Sequence, residues 1–207
     1  MKHEWKKHEK EIYTPKDKPM LVTVPKYNYF MITGKGNPNG EDFASRIEVL
    51  YSLSYSVKML PKKGFIPGGY FDYTVYPLEG IWDGKEAINE SGAMNKNELI
   101  YTLMIRQPEF VTEAIARMTV VKLISTKPHP LIKEVKFGTV EDGMCVQLMH
   151  TGSYNNEKQS FEKMNIFIEE NGLKRKNSLH REIYINDARK TVEEKRKTVL
   201  RYTVEEK

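Results

Sequence analysis

In the stretch HREIYINDARK (180–190), alternation places His180, Glu182 and Tyr184 on one face of a strand and Ile183 and Ile185 on the other. A carboxylate and a phenol sharing one strand face can serve as a base with a hydrogen-bond donor beside it, or can hold a cationic or electrophilic ligand. Further aromatic residues lie near in the sequence. Tyr70, Tyr76 and Trp82 cluster in GYFDYTVYPLEGIW (69–82), and His150 and Tyr154 end the run MCVQLMHTGSY (144–154). Such rings fill cores, and they equally wall a site for a flat ligand. The residues alone leave two readings of 180–184 open, a solvated outer strand face or a lined pocket.

Other chemistries find less support. His3 and His8 near the start and His129 between two prolines offer no three or four convergent ligands, so no metal is expected. GKGNPNG (34–40) lacks the Gly-Lys-Ser/Thr ending of a phosphate loop and reads as a reverse turn. Ser153 is not in a nucleophile-elbow context. The single cysteine, Cys145, excludes an intrachain disulfide and reads as a buried thiol in an apolar run. No organic cofactor is implied.

The chain has 207 residues, with 33 basic against 28 acidic side chains and a net charge of +5. These charges are interspersed, whereas a nucleic-acid footprint needs clustering, so no direct nucleic-acid binding is expected. Lys2 to Lys18 and Lys190 to Lys197 read as solvated surface. No stretch has signal-peptide or membrane-spanning character, which makes the cytoplasm the expected location and a membrane partner unexpected. Residues 1–19 read as a charged arm, too short for a helix-turn-helix module, and 20–207 as one ligand-binding domain.

The elements that must position these side chains follow from periodicity. LVTVPKYNYFMITGKG has strand chemistry. From Glu41 to about Leu60, Phe43, Ile47, Leu50, Tyr51, Ser54 and Val57 recur at helical spacing. YFDYTVYPLEGIW reads as a strand ending near Pro77, ELIYTLMIRQ as another, and PEFVTEAIARM as a short helix with Pro108 in its first turn. MCVQLMH predicts a strand, EKQSFEKMNIFIEENG a helix stopped by Gly172, and LHREIYIND the strand that carries Glu182. Residues 61–69 and 83–97 are polar, Gly-containing candidates for lids.

The halves, about 20–106 and 132–204, share an order of strand, turn, amphipathic helix and strand, a weak internal repeat in which Tyr76 matches Tyr184 and Thr74 matches Glu182. The pattern predicts an α+β fold with pseudo-twofold symmetry about an antiparallel sheet. Helices are expected on one face and a ligand groove on the other, with Ile183 and Ile185 toward the helices.

Across YTPKDKPMLVTVPKYNYFMITGKGNPNG (13–40), YSLSYSVK (51–58), YTVYPLEGIW (73–82), YTLMIRQPEFVT (101–112), CVQLMHTGSYNNE (145–157), HREIYINDARKT and KTVLRY (180–202), the sequence resembles the GyrI-like small-molecule-binding family. The resemblance implies the duplicated strand-helix-strand-strand (SHS2-type) fold and a groove for bulky, planar, often cationic aromatic compounds. It implies Glu182 as the acidic residue of the last-strand motif and Trp82 and Tyr76 as aromatic walls. Tyr70, Tyr154 and His150 are the further ligand-binding candidates. A branch of the family hydrolyses electrophilic cyclopropane-bearing genotoxins. That activity here would make Glu182 the general base and Tyr184 or Tyr76 the proton donor. The rivals are a non-catalytic sequestrant or sensor of cationic aromatics, and a partner protein of a larger enzyme.

Overall fold

Glycines at matching places divide the chain into two like halves. The structure, a computed structural model, describes residues 2–83 and 95–207. Two helical turns, α1 (Trp5–His8) and α2 (Lys10–Tyr13), lead into β1 (Met20–Val24), β2 (Tyr27–Lys35), α3 (Glu41–Lys58), β3 (Leu78–Asp83) and β4 (Ile100–Gln107). Then come α4 (Glu113–Thr126), β5 (Lys136–Val140), β6 (Gly143–Thr151), α5 (Glu157–Glu170), β7 (Leu173–Arg175), β8 (His180–Tyr184) and β9 (Lys197–Glu206). Among the described residues the strands form one antiparallel sheet in the order β1-β6-β9-β8-β3-β4-β2-β5, with β7 added to β9. The fold is α+β, and no described helix is long and apolar enough to cross a membrane.

The order β2-α3-β3-β4 repeats as β6-α5-β8-β9 about the central β3–β8 pair. β2 and β6 are both followed by a glycine at φ 130°, Gly36 and Gly152, a conformation that favours glycine, and the helices open at Glu41 and Glu157. Matching the strand starts Leu78 with His180 and Ile100 with Lys197 preserves the pairing, because Trp82 lies opposite Tyr101 and Tyr184 opposite Thr198. Trp82 is therefore the counterpart of Tyr184, and Gly80 that of Glu182.

The expected match of Tyr76 with Tyr184 and of Thr74 with Glu182 does not hold. β3 starts after Pro77 instead of ending there. The preceding residues find partners in the N-terminal segment: His3 N–H donates to the Asp72 carbonyl at 2.7 Å, and Thr74 N–H to the His3 carbonyl at 2.8 Å. α4 likewise starts beyond Pro108, where the Thr112 side chain accepts from Ile115 N–H, and runs longer than its sequence pattern predicts.

α3 packs Val49, Leu50, Leu53 and Val57 over Phe30, Ile32, Leu103 and Ile105, while α5 packs Met164 and Ile168 over Val146, Leu148 and Leu200. Burying each such side chain contributes about 1.5–3 kcal/mol. Both helices cover one face. The opposite face is covered by the opening residues: Trp5 Nε1 donates to the Val75 carbonyl at 3.0 Å, Arg201 Nη2 to the Ile12 carbonyl at 2.9 Å, and Arg106 to Tyr13 Oη at 3.2 Å. That face also holds the ion pairs of Arg106 with Glu9 and of Arg181 with Glu79 and Asp142. Burial acts to raise the Glu9 carboxyl, but Arg106, together with hydrogen bonds from His3 and Tyr76, holds the group below its ordinary range.

The placement of the groove differs from expectation for this reason. Register puts Glu182 opposite Leu200 on one side and Gly80 on the other, and hence on the helix-covered face. Ile183 lies on the face of Glu79 and Arg181, away from the helices. The groove is the gap between α3 and α5. Of the two expected lids, 61–69 begins with a helical turn at Pro61–Lys63 and exposes Phe65 and Ile66. The other, 83–97, lies mostly outside the described residues.

Candidate functional site

One row of directly paired residues crosses the sheet as Leu148, Leu200, Glu182, Gly80, Leu103 and Ile32. Its ends lie under α5 and α3 and are apolar. Glu182 is the only ionisable member, at the midpoint that neither helix covers, and it is 9% exposed. Next to it Gly80 has no side chain. A Cβ at Gly80 would come within 2.8 Å of Trp82 Nε1 and 3.4 Å of Tyr184 Oη, so the glycine gives these two groups their place.

Both carboxylate oxygens of Glu182 are held. Tyr184 Oη donates to Oε2 at 2.8 Å, and His180 Nε2 lies 3.0 Å from Oε1. Trp82 Nε1 donates in turn to Tyr184 Oη at 3.2 Å. Burial, followed by the neighbouring Glu182, keeps the Tyr184 phenol protonated far above its ordinary range. The Tyr184 proton is thus already engaged with Glu182.

The cavity above this floor measures about 2140 Å³ and is walled by rings from both halves. On the α3 side Phe43 stacks on Trp82 at 5.8 Å and 26°, and Tyr51 and Tyr55 line the helix. On the α5 side Tyr154 meets Tyr184 edge to face at 6.2 Å, and Phe161 meets His180 at 4.9 Å. Burial above all pushes the Tyr154 phenol up to about 12, although Arg196, 5.4 Å from its ring, acts the other way. Flat apolar walls around one carboxylate suit a planar ligand with a polar or charged feature.

A second carboxyl lies in this cavity that sequence reasoning missed. Glu157, the first residue of α5, is 8% exposed, lines the cavity, and its Oε1 has no hydrogen-bond partner among the described residues. Burial first, and the charge of Glu182 second, push it up to about 9. The positive end of α5 favours the ionised form and so acts against this shift. In the sequence, a Glu opening a helix reads simply as a complement to the helix dipole.

The sequence-derived candidates fall into three groups. Glu182, Tyr184, Trp82 and Tyr154 come together. Tyr76 lines the cavity, but its hydroxyl donates to Glu9 Oε1 at 2.9 Å, on the N-terminal side of the sheet. Tyr70 and His150 lie outside the cavity lining. Tyr70 packs on Phe110 at 5.2 Å, and His150 is buried between Ser160 Oγ at 2.9 Å and the Ser153 carbonyl at 3.1 Å, where it ties the β6 turn to α5. His180, by contrast, lines the cavity beside Glu182.

Comparison with known proteins agrees with this architecture. The model of the GyrI-like small molecule binding domain matches residues 17–202. A solved structure described as a hydrolase encoded by lin2189 from Listeria innocua is 35% identical, with a TM-score of 0.91 over 99% of this chain and 100% of that one. Another, described as a hydrolase from Listeria innocua, is 34% identical, with a TM-score of 0.88 over 98% and 100%. The C-terminal domain of EcmrR, 15% identical with a TM-score of 0.53 over 92% and 98%, shares the fold. No curated protein matches the chain. The chain belongs to the GyrI-like small-molecule-binding domain family.

Proposed function

We propose that the groove between α3 and α5 binds planar aromatic small molecules and hydrolyses those that carry an electrophilic cyclopropane conjugated to a dienone. The observation that carries this reading is Glu182, placed by His180 and Tyr184 on the floor of an aromatic-walled cavity. Two similar Listeria proteins described as hydrolases support it.

Trp82, Phe43 and Tyr154 hold the ligand plane, each aromatic pair contributing about 0.5–1.5 kcal/mol beyond area burial. Glu182 then takes a proton from a water that attacks the cyclopropane carbon. The ring carbon–carbon bond breaks, and its electron pair moves into the dienone, which becomes aromatic as its oxygen gains a proton. A positioned base contributes on the order of 10²–10⁴-fold. Destroying such an electrophile protects the cell from alkylation.

A second reading, capture without turnover, is favoured by the fact that both Glu182 oxygens already have partners. Incubation with a panel of cyclopropane-bearing and cationic aromatic compounds, followed by mass spectrometry, separates the two. Products one water heavier than the substrate support hydrolysis; unchanged compounds with saturable binding leave capture.

A further inference from the structure

We infer that Glu157 is the proton donor of the groove, the acid that faces the Glu182 base, and that the site therefore prefers uncharged conjugated ketones to cations. The inference rests on the hydrolytic reading above and completes its proton balance.

The phenols are poor donors for this step. Tyr184 Oη already donates to Glu182, and Tyr76 Oη donates to Glu9, away from the groove. Glu157 differs from both. It is buried at the cavity wall, with one oxygen lacking any partner among the described residues, and leaving such an atom unpaired costs free energy unless a ligand or water meets it. A neutral carboxyl there has an O–H to give, and the raised pKa agrees with that state near neutrality.

The surroundings leave the proton in place. From β8, Glu182 lines the same cavity and its charge disfavours a second one on Glu157, while His180 and Tyr184 are engaged with Glu182. From the turn before α5, Tyr154 is itself held protonated and senses both glutamates. Lys158 beside it on α5 and Arg196 across the groove also line the cavity, Arg196 being turned to the Ala188 and Thr191 carbonyls. From β6, His150 is tied to Ser160 and Ser153.

Water gives its proton to Glu182 as its oxygen bonds to the cyclopropane carbon, and the broken ring bond sends electrons to the dienone oxygen. That oxygen takes the Glu157 proton and becomes a phenol. Glu182, now protonated, returns its proton to Glu157 through solvent. With Glu157 neutral, the groove floor presents one carboxylate together with one hydrogen-bond donor, which matches a neutral ketone.

The test uses the whole chain and cyclopropane-dienone substrates whose product phenols differ in acidity. Glu157→Gln is expected to bind them as the parent does, to lose on the order of 10²-fold in kcat on the least acidic phenol, and to lose progressively less as the phenol becomes more acidic. Infrared difference spectra, parent minus Glu157→Gln, are expected to show a protonated-carboxyl band at neutral pH. Glu157→Asp is expected to keep a carboxyl donor and part of the rate. An equal loss on every substrate, an unchanged kcat, or an ionised carboxylate band at neutral pH overturns the inference. If the parent protein hydrolyses none of the substrates, the hydrolytic reading fails instead, and the infrared band still decides the state of Glu157.

Discussion

Replacing Glu157 by Gln should alter the dependence of stability on pH in a calculable way. The native carboxyl is pushed up to about 9, chiefly by burial and then by Glu182, whereas the unfolded chain has an ordinary carboxyl that ionises near pH 4.5. Between these values the native state keeps a proton that the unfolded state has lost. Glu157 therefore makes stability fall as pH rises, by about 1.4 kcal/mol per pH unit. That slope begins above the ordinary carboxylate range and ends as the folded group ionises. Gln cannot titrate, so the advantage of Glu157→Gln over the parent should grow with pH, by roughly 2–3 kcal/mol from pH 6 to pH 8. Urea denaturation of both proteins at pH 6, 7 and 8 measures it, and the histidines, common to both, largely cancel in the comparison. A difference that stays flat would show that Glu157 is already ionised in the native protein at pH 6, and the account of the buried carboxyl would be wrong.

Gly80→Ala should drive a methyl into Trp82 Nε1 and crowd Tyr184 Oη, costing about 1–3 kcal/mol and weakening aromatic ligands; Trp fluorescence and denaturation read both effects, and an unshifted spectrum with parent affinity contradicts it. Arg106→Ala should strip the half-buried Glu9 carboxylate of its charge partner on the N-terminal side of the sheet, leaving it the contacts with His3 and Tyr76, and cost about 1–3 kcal/mol, read by urea midpoint. Ligand affinity measured well below that midpoint should hardly change. His150→Leu should loosen the Ser153 turn and lower stability, while ligands that touch His180 and Glu182 keep their affinity to within about twofold, since His150 lies outside the cavity lining.

Much of the scaffold is legible in residue order. The stripe from Phe43 to Val57 specifies α3, and the alternation of 180–184 separates Glu182 and Tyr184 from Ile183. Alternation shows that a strand has two different faces, but it cannot say which one a helix covers. Ile183 looked like the helix-facing residue, yet it lies on the side where the opening residues dock and where Glu79 pairs with Arg181. The docking of Trp5 and Tyr13 is tertiary and leaves no periodic trace. The same limit hid Glu157: its type and position are ordinary for a helix start, and only packing shows that it is buried opposite a second carboxylate. Tyr70 and Tyr76 illustrate the converse, since proximity in sequence to Trp82 says little about where a ring or hydroxyl points once Pro77 separates them from the strand.

The central claim is that Glu182 activates a water in an aromatic groove, and Glu182→Gln tests it most directly. Binding and turnover of one cyclopropane-dienone should be measured together in water labelled with heavy oxygen. The account predicts that the parent places the label in a ring-opened product, and that Glu182→Gln binds the compound comparably while turning it over on the order of 10²–10⁴-fold more slowly. Unchanged turnover by Glu182→Gln, or a parent product without the label, would contradict it.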